Sequence, residues 1–252
     1  MVVSVWALAL IVVTVLVGAL MQRVSGMGLG LIGVPVLALI VGPVAGVLII
    51  NVLATVNAIF QAISVRENID WKKFWLIGPV MAVGALPGAW VVHNTPPGPL
   101  QALVGALVLA GLLVTTYMPN QMRVDGPQYA MAAGVAGGFM NTLAGIAGPS
   151  ITVYAQATRW PQRTFAATLQ PLFFVSGAMS LAFKEITADE SIFTTTPVIL
   201  WPLGIVALLG GIALGTRISR RISAPRARRL ALVLAATGAA TILVRGIAEM
   251  LV

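Results

Sequence analysis

The chain has no cysteine and a single histidine, His93. Disulfide frameworks, Cys-based metal sites and thiol nucleophiles are therefore excluded. Charge is just as scarce, at 9% of residues, with only seven acidic side chains. Glu67, Asp70, Asp125, Glu185, Asp189 and Glu190 fall between apolar stretches, and Glu249 stands close to the end. No carboxylate is thus expected at mid-membrane depth to relay protons or hold sodium, which disfavours a cation carrier and favours an anion carrier.

Apolar residues make up 59% of the chain and its mean hydropathy is +0.99; a soluble domain has about 45 to 50%. A water-soluble fold is excluded. Stretches long enough to cross a bilayer, which takes about 20 helical residues, run over 3–21, 44–64, 74–92, 100–118, 165–183, 197–216 and 230–247. Shorter or interrupted stretches cover 26–41, 129–144 and 149–157, the last too short to span. The first apolar stretch lacks a basic leader and a small-residue cleavage site, so it is expected to be a retained helix.

The net charge is +8, and six of the fifteen basic residues share one loop: Arg217, Arg220, Arg221, Arg226, Arg228 and Arg229. Aromatic residues that would interleave with a nucleic-acid groove are missing there, so nucleic acid is not expected as a partner. The cluster reads instead as a cytoplasmic loop, as do the positions of Arg66, Lys72, Lys73, Arg123, Arg159 and Arg163. The opposite loops are poor in basic residues: the one starting at His93 has none, and the one starting at Lys184 has one Lys among three acids. Following the crossings from this rule places both termini outside.

An internal repeat is visible at a shift of about 114 to 127 residues. Near the start of each half stands a glycine-rich break ending in proline: Ser25-Gly-Met-Gly-Leu-Gly-Leu-Ile-Gly-Val-Pro35, and Gly137-Gly-Phe-Met-Asn-Thr-Leu-Ala-Gly-Ile-Ala-Gly-Pro149. Near each end stands a Gly-x-x-x-Gly helix, at Gly84 and Gly88 and again at Gly211 and Gly215, followed by a proline-containing turn and a last apolar helix. Equivalent loops carry opposite charge character, which implies opposite orientation. The expected architecture is an all-helical membrane protein with an inverted repeat, residues 1–120 and 121–252. Each half has a re-entrant broken hairpin and three longer helices. Inverted repeats with interrupted helices point to a secondary transporter whose site lies where the halves meet.

Breaks of this kind leave backbone groups without helical partners, and in hydrocarbon each such group costs several kcal/mol. They must be buried in protein or line a wet cavity. A helix starting at a break aims free N–H groups and its positive dipole end at the gap, which favours an anion. Candidate contacts are Arg23, Ser25, Gly26, Gly28 and Gly30 at the first break, where Gln22 also stands, and Asn141, Thr142, Gly145, Gly148 and Ser150 at the second. Asn51 and Thr55 in the following helix of the first half, and Gln170 in that of the second, extend the set. Two plainer roles stand beside this one: glycines also allow tight helix packing, and polar side chains also bond between helices. Arg23 has an alternative as well, that of a snorkelling residue at the cytoplasmic boundary, and His93 and Arg245 read as interfacial residues.

In its two Pro-terminated breaks and in the tail Leu209-Gly-Gly-Ile-Ala-Leu-Gly-Thr-Arg-Ile-Ser-Arg-Arg-Ile-Ser-Ala-Pro225 the chain resembles the sulfite exporter TauE/SafE family of small bacterial anion permeases. The resemblance implies a multi-pass permease of the bacterial inner membrane, without a cofactor, moving sulfite or an organosulfonate outward. The first break departs from consecutive glycines, because Met27 and Leu29 alternate with Gly26, Gly28 and Gly30. An anion channel or an uptake carrier for another small anion is the alternative, and sequence leaves open whether copies associate as a homo-oligomer. A membrane enzyme would need a His, Asp or Glu cluster at membrane depth, which the sequence lacks.

Overall fold

A computed structural model of the chain describes residues 4–25, 28–117, 123–187, 191–219 and 224–251, and every regular element among them is helical. Twelve α-helices follow one another. α1 (Val5–Ser25), α2 (Leu29–Val41) and α3 (Pro43–Val65) open the chain, then α4 (Trp71–Ile77), α5 (Met81–Asn94) and α6 (Pro97–Tyr117). The second series is α7 (Pro127–Ala144), α8 (Gly148–Ala157), α9 (Gln162–Thr187), the short α10 (Ile192–Thr195), α11 (Leu200–Ile218) and α12 (Ala224–Met250). Among the described residues, seven stretches are long and apolar enough to cross a membrane, one at each long apolar run of the sequence.

Several prolines and glycines mark where helices start, turn or end. Pro43 and Pro127 stand in the first turn of their helices, where the missing N–H has no partner to lose. Gly42, at φ 88°, makes the tight reversal between α2 and α3. The run expected to be continuous over 74–92 is divided into α4 and α5 by turns at Gly78, Pro79 and Val80, since a proline cannot continue the helical ladder. Asp70 caps α4 by accepting from the Lys73 N–H at 3.0 Å.

The exterior is apolar, unlike that of a soluble protein. Trp6, Trp75, Trp90 and Val244 are exposed, while Asn51, Asn57, Thr142 and Gln170 are buried. Lipid tolerates the apolar exterior, and the interior is apolar too, built on Ile11, Ile49, Leu53 and Leu100, with the buried amides set into it. The helices pack α1 on α11, α7 on α5, α2 on α12 and α8 on α6, with α3 against α9 and α6 against α12. Glycines make these approaches possible. A Cβ on Gly84 would strike the Val135 carbonyl of α7, and one on Gly88 would lie 2.9 Å from Thr142 Cβ. Gly211 and Gly215 of α11 meet the Leu16 carbonyl and the Arg23 side chain of α1 in the same manner. Pro35 of α2 sits on Gly238 of α12, and Pro149 of α8 sits on Gly111 of α6.

Three expectations need correction. Four of the six clustered arginines are helical rather than in one loop: Arg217 lies in the last turn of α11, and Arg226, Arg228 and Arg229 lie in the first turns of α12. The breaks are shorter than the glycine-rich motifs: α7 runs unbroken through Gly137 and Gly138, and the second interruption is confined to Gly145, Ile146 and Ala147. Gly138 serves packing instead, its Cα facing the Met81 carbonyl. Likewise α2 has resumed by Leu29, so Pro35 lies within a helix rather than at its start. Lys184 and Glu185 are not loop residues, because α9 continues through both. Lys184 is 3% exposed, and the Glu185 carboxylate accepts from the Ile192 N–H at 3.0 Å, tying α9 to α10. Arg220, Arg221, Asp189 and Glu190 lie outside the described residues.

Candidate functional site

Both breaks open onto one cavity in the middle of the bundle. Gly28, Gly30 and Leu31 line it from the start of α2, and Gly145, Ile146, Ala147, Gly148 and Pro149 from the start of α8. The fit is close: a Cβ on Gly30 would strike the Gly145 carbonyl, and one on Gly145 would lie 2.6 Å from Val34 Cγ2. Gly145 has φ 63°, a left-handed conformation that ends α7 and returns its own N–H to the Asn141 carbonyl at 2.8 Å. Gly177 of α9 completes the close approach, facing the Thr55 hydroxyl and the Asn51 carbonyl.

The electrostatics come from backbone and amides rather than charge. No charged residue is among the described residues lining the cavity. The first-turn N–H groups of a helix have no helical acceptor, and two such turns, of α2 and α8, converge here. Each helix N-terminus favours a nearby anion by about 0.3 to 1 kcal/mol, and by up to about 2 in a partly buried site. The Leu29 N–H is taken by Gln22 Oε1 at 3.2 Å. The cavity offers about 40 Å³ to water centres, where one water needs roughly 10 to 15 Å³. It therefore accommodates a few waters or one small oxyanion.

Two amide pairs bound the site. Gln22 Nε2 donates to Gln170 Oε1 at 3.3 Å, joining α1 to α9. Asn141 Nδ2 faces Asn51 Oδ1 at 3.4 Å, joining α7 to α3, and Asn51 Nδ2 donates to Ser180 Oγ at 2.7 Å. Asn141 stands 119 positions after Gln22, and Gln170 stands 119 after Asn51. The two pairs therefore share one sequence offset. All four side chains are at most 5% exposed.

The expected contacts divide into those at this cavity and those elsewhere. Gly28, Gly30, Asn51, Asn141, Gly145 and Gly148 line it, and Gly26 lies outside the described residues. The hydroxyls turn back onto their own helices: Thr55 to the Asn51 carbonyl at 2.6 Å, Thr142 to Gly138 at 2.9 Å, Ser25 to Met21 at 2.8 Å, and Ser150 to Ala147 at 3.1 Å. Such i−3 or i−4 bonding satisfies a buried hydroxyl locally. Ser150 lines a separate apolar groove between α7 and α8. Arg23, Ser25 and Gln170 line a second cavity beyond the Gln22–Gln170 pair. Sequence reasoning missed Ala54, Phe173 and Gly177 as lining residues, since each follows its helix pattern without marking itself. Gln22 was recognisable only as an amide at the end of an apolar helix. His93 is exposed in the last turn of α5. Arg245 pairs with Glu249 at 2.9 Å and donates to the Leu39 carbonyl near the end of α2.

An apolar-walled helical bundle with seven stretches long enough to cross a membrane, and a small neutral cavity between two helix starts, has the build of a multi-pass membrane protein. The model of the family described as Sulfite exporter TauE/SafE matches residues 10–242, and the chain belongs to that family. It is a multi-pass membrane transporter. Comparison with curated proteins and with solved structures finds no match.

Proposed function

We propose that the protein is a secondary carrier exporting a small sulfur oxyanion, sulfite or a short organosulfonate, across the bacterial inner membrane by alternating access. The observation that carries this reading is the convergence of two helix starts on one neutral cavity of oxyanion size. The substrate would rest on first-turn N–H groups of α2 and α8 and on the amides of Asn51 and Asn141, with Gly145 keeping the approach open. Neutral donors in a low-dielectric pocket stabilise an anion without the desolvation cost of a buried countercharge. The family description supports sulfite as the first substrate to test.

The alternation requires two halves of opposite orientation, 1–120 and 121–252. Corresponding helix pairs, the two proline seats on Gly238 and Gly111, and the amide pairs at a constant offset of 119 all fit a two-fold relation between them. Rocking one half against the other would separate the members of either amide pair while keeping the other pair closed. On the charge rule both termini face outside and the Arg217 to Arg229 region faces the cytoplasm. The first test is uptake into proteoliposomes of sulfite, sulfate, thiosulfate, sulfoacetate and taurine. Saturable sulfite or sulfonate flux with counterflow is expected. Non-saturable conductance would instead make the protein a channel, and no flux of any of the five would reject the reading.

A further inference from the structure

The second cavity lies past the Gln22–Gln170 bond and differs from the first in size and charge. It is lined by Arg23, Arg163, Gln61 and Asn68 among others, and it shares Gln22 with the central cavity. It offers about 350 Å³ against about 40 Å³, so it admits anions that the inner cavity would refuse. No Asp or Glu is among its described lining residues.

Three observations point to a ligand. First, Arg23 is held by neutral oxygens only: its Nε donates to Thr216 Oγ1 and its Nη1 to Ser64 Oγ, each at 3.0 Å. Among the described residues the only ion pair is Arg245 with Glu249, so no carboxylate offsets the Arg23 charge. Second, Gln61 is 4% exposed, and its buried Nε2 has no hydrogen-bond partner among the described residues. Leaving a buried amide N–H unmet is costly, and Gln61 is one of the residues that line this cavity. Third, a second guanidinium, that of the exposed Arg163, lines the same space. Two planar forks and an amide donor match the several oxygens of an oxyanion better than a halide.

We propose that this vestibule is a second anion site, separate from the central one, which takes small oxyanions on Arg23, Arg163 and Gln61. It exchanges them with the central cavity when the Gln22–Gln170 bond breaks. The vestibule collects anions by charge, and the narrower neutral cavity selects among them by size. The exchange step rests on the carrier reading given above, whereas the binding site does not.

The test is calorimetric titration of the purified full-length protein in detergent with sulfite and, separately, with sulfate. The wild type should show two sulfite-binding events. Arg23→Gln should weaken one of them roughly tenfold or more, as expected for a charge-assisted hydrogen bond, and should leave the event that Asn141→Asp removes. Because Arg163 is exposed, Arg163→Gln provides a variant whose folding is not at issue, and it should weaken the same event. Gln61→Met, similar in volume, should weaken it without changing net charge. If both arginine variants leave every sulfite event unchanged, or if the sole wild-type event is the one sensitive to Asn141→Asp, the vestibule site is refuted and the central reading stands. If the sole event is the arginine-sensitive one, the vestibule stands and the central reading fails. No binding of either anion overturns both.

Discussion

The two breaks carry nearly the same motif yet are built differently. Pro149 stands at the second position of α8, where no helical N–H is needed. Pro35 stands in the interior of α2, so it deprives the Leu31 carbonyl of its helical donor one turn from the cavity. The first break leaves a weakened helix behind it; the second leaves an intact one. Both prolines nevertheless rest on a glycine of a last helix, Pro35 on Gly238 and Pro149 on Gly111. The seat is shared while the mechanical consequence is not, which makes α2 the more yielding of the two half-helices.

The largest effect expected from disturbing this arrangement is at Gly145. Leucine there must adopt a left-handed conformation, at about 1 to 2 kcal/mol, and must displace Val34, adding roughly 1 to 3 kcal/mol of overpacking. Gly145→Leu should abolish flux while membrane insertion, checked by fractionation, persists. Next is Asn141→Asp, which sets a carboxylate beside the neutral cavity. Like charges about 5 Å apart at an effective dielectric near 20 repel by about 3 kcal/mol, so half-saturation for sulfite should rise roughly a hundredfold. Unchanged half-saturation would place the anion elsewhere.

Gly84→Ala touches only the α5 and α7 packing, where its Cβ meets the Val135 carbonyl. It should lower the melting temperature in detergent by an amount corresponding to about 1 to 3 kcal/mol, with flux per folded molecule retained. The smallest effects separate the two prolines. Pro35→Ala adds one backbone bond, worth about 1 kcal/mol, and should raise thermal stability while slowing flux; Pro149→Ala should do neither. Equal responses at the two positions would erase the difference between the breaks.

The helical class, the seven long apolar runs and the approximate places of both breaks were legible in the sequence, because lipid imposes apolar length and because glycine and proline mark interruptions. The extent of the breaks was not legible. Gly137 and Gly138 read as belonging to an interruption, but they are helical, and whether a glycine admits a neighbouring backbone or ends a helix depends on the partner helix. Lys184 looked like a loop residue because charge near an apolar end normally marks the interface; its burial is a property of the bundle. The hydroxyls of Thr55 and Thr142 were indistinguishable from ligands in sequence, since bonding to an i−4 carbonyl leaves no trace in spacing. The Gln22–Gln170 and Asn141–Asn51 pairs join helices far apart in the chain, α1 to α9 and α7 to α3, so no local pattern reveals them.

The most direct measurement is counterflow of radiolabelled sulfite into proteoliposomes carrying the wild type or Gly145→Leu. The wild type should exchange sulfite saturably, and the variant, present in equal amount in the membrane, should fall to the level of protein-free vesicles. Saturable exchange persisting in Gly145→Leu would show that the anion does not pass between the two breaks.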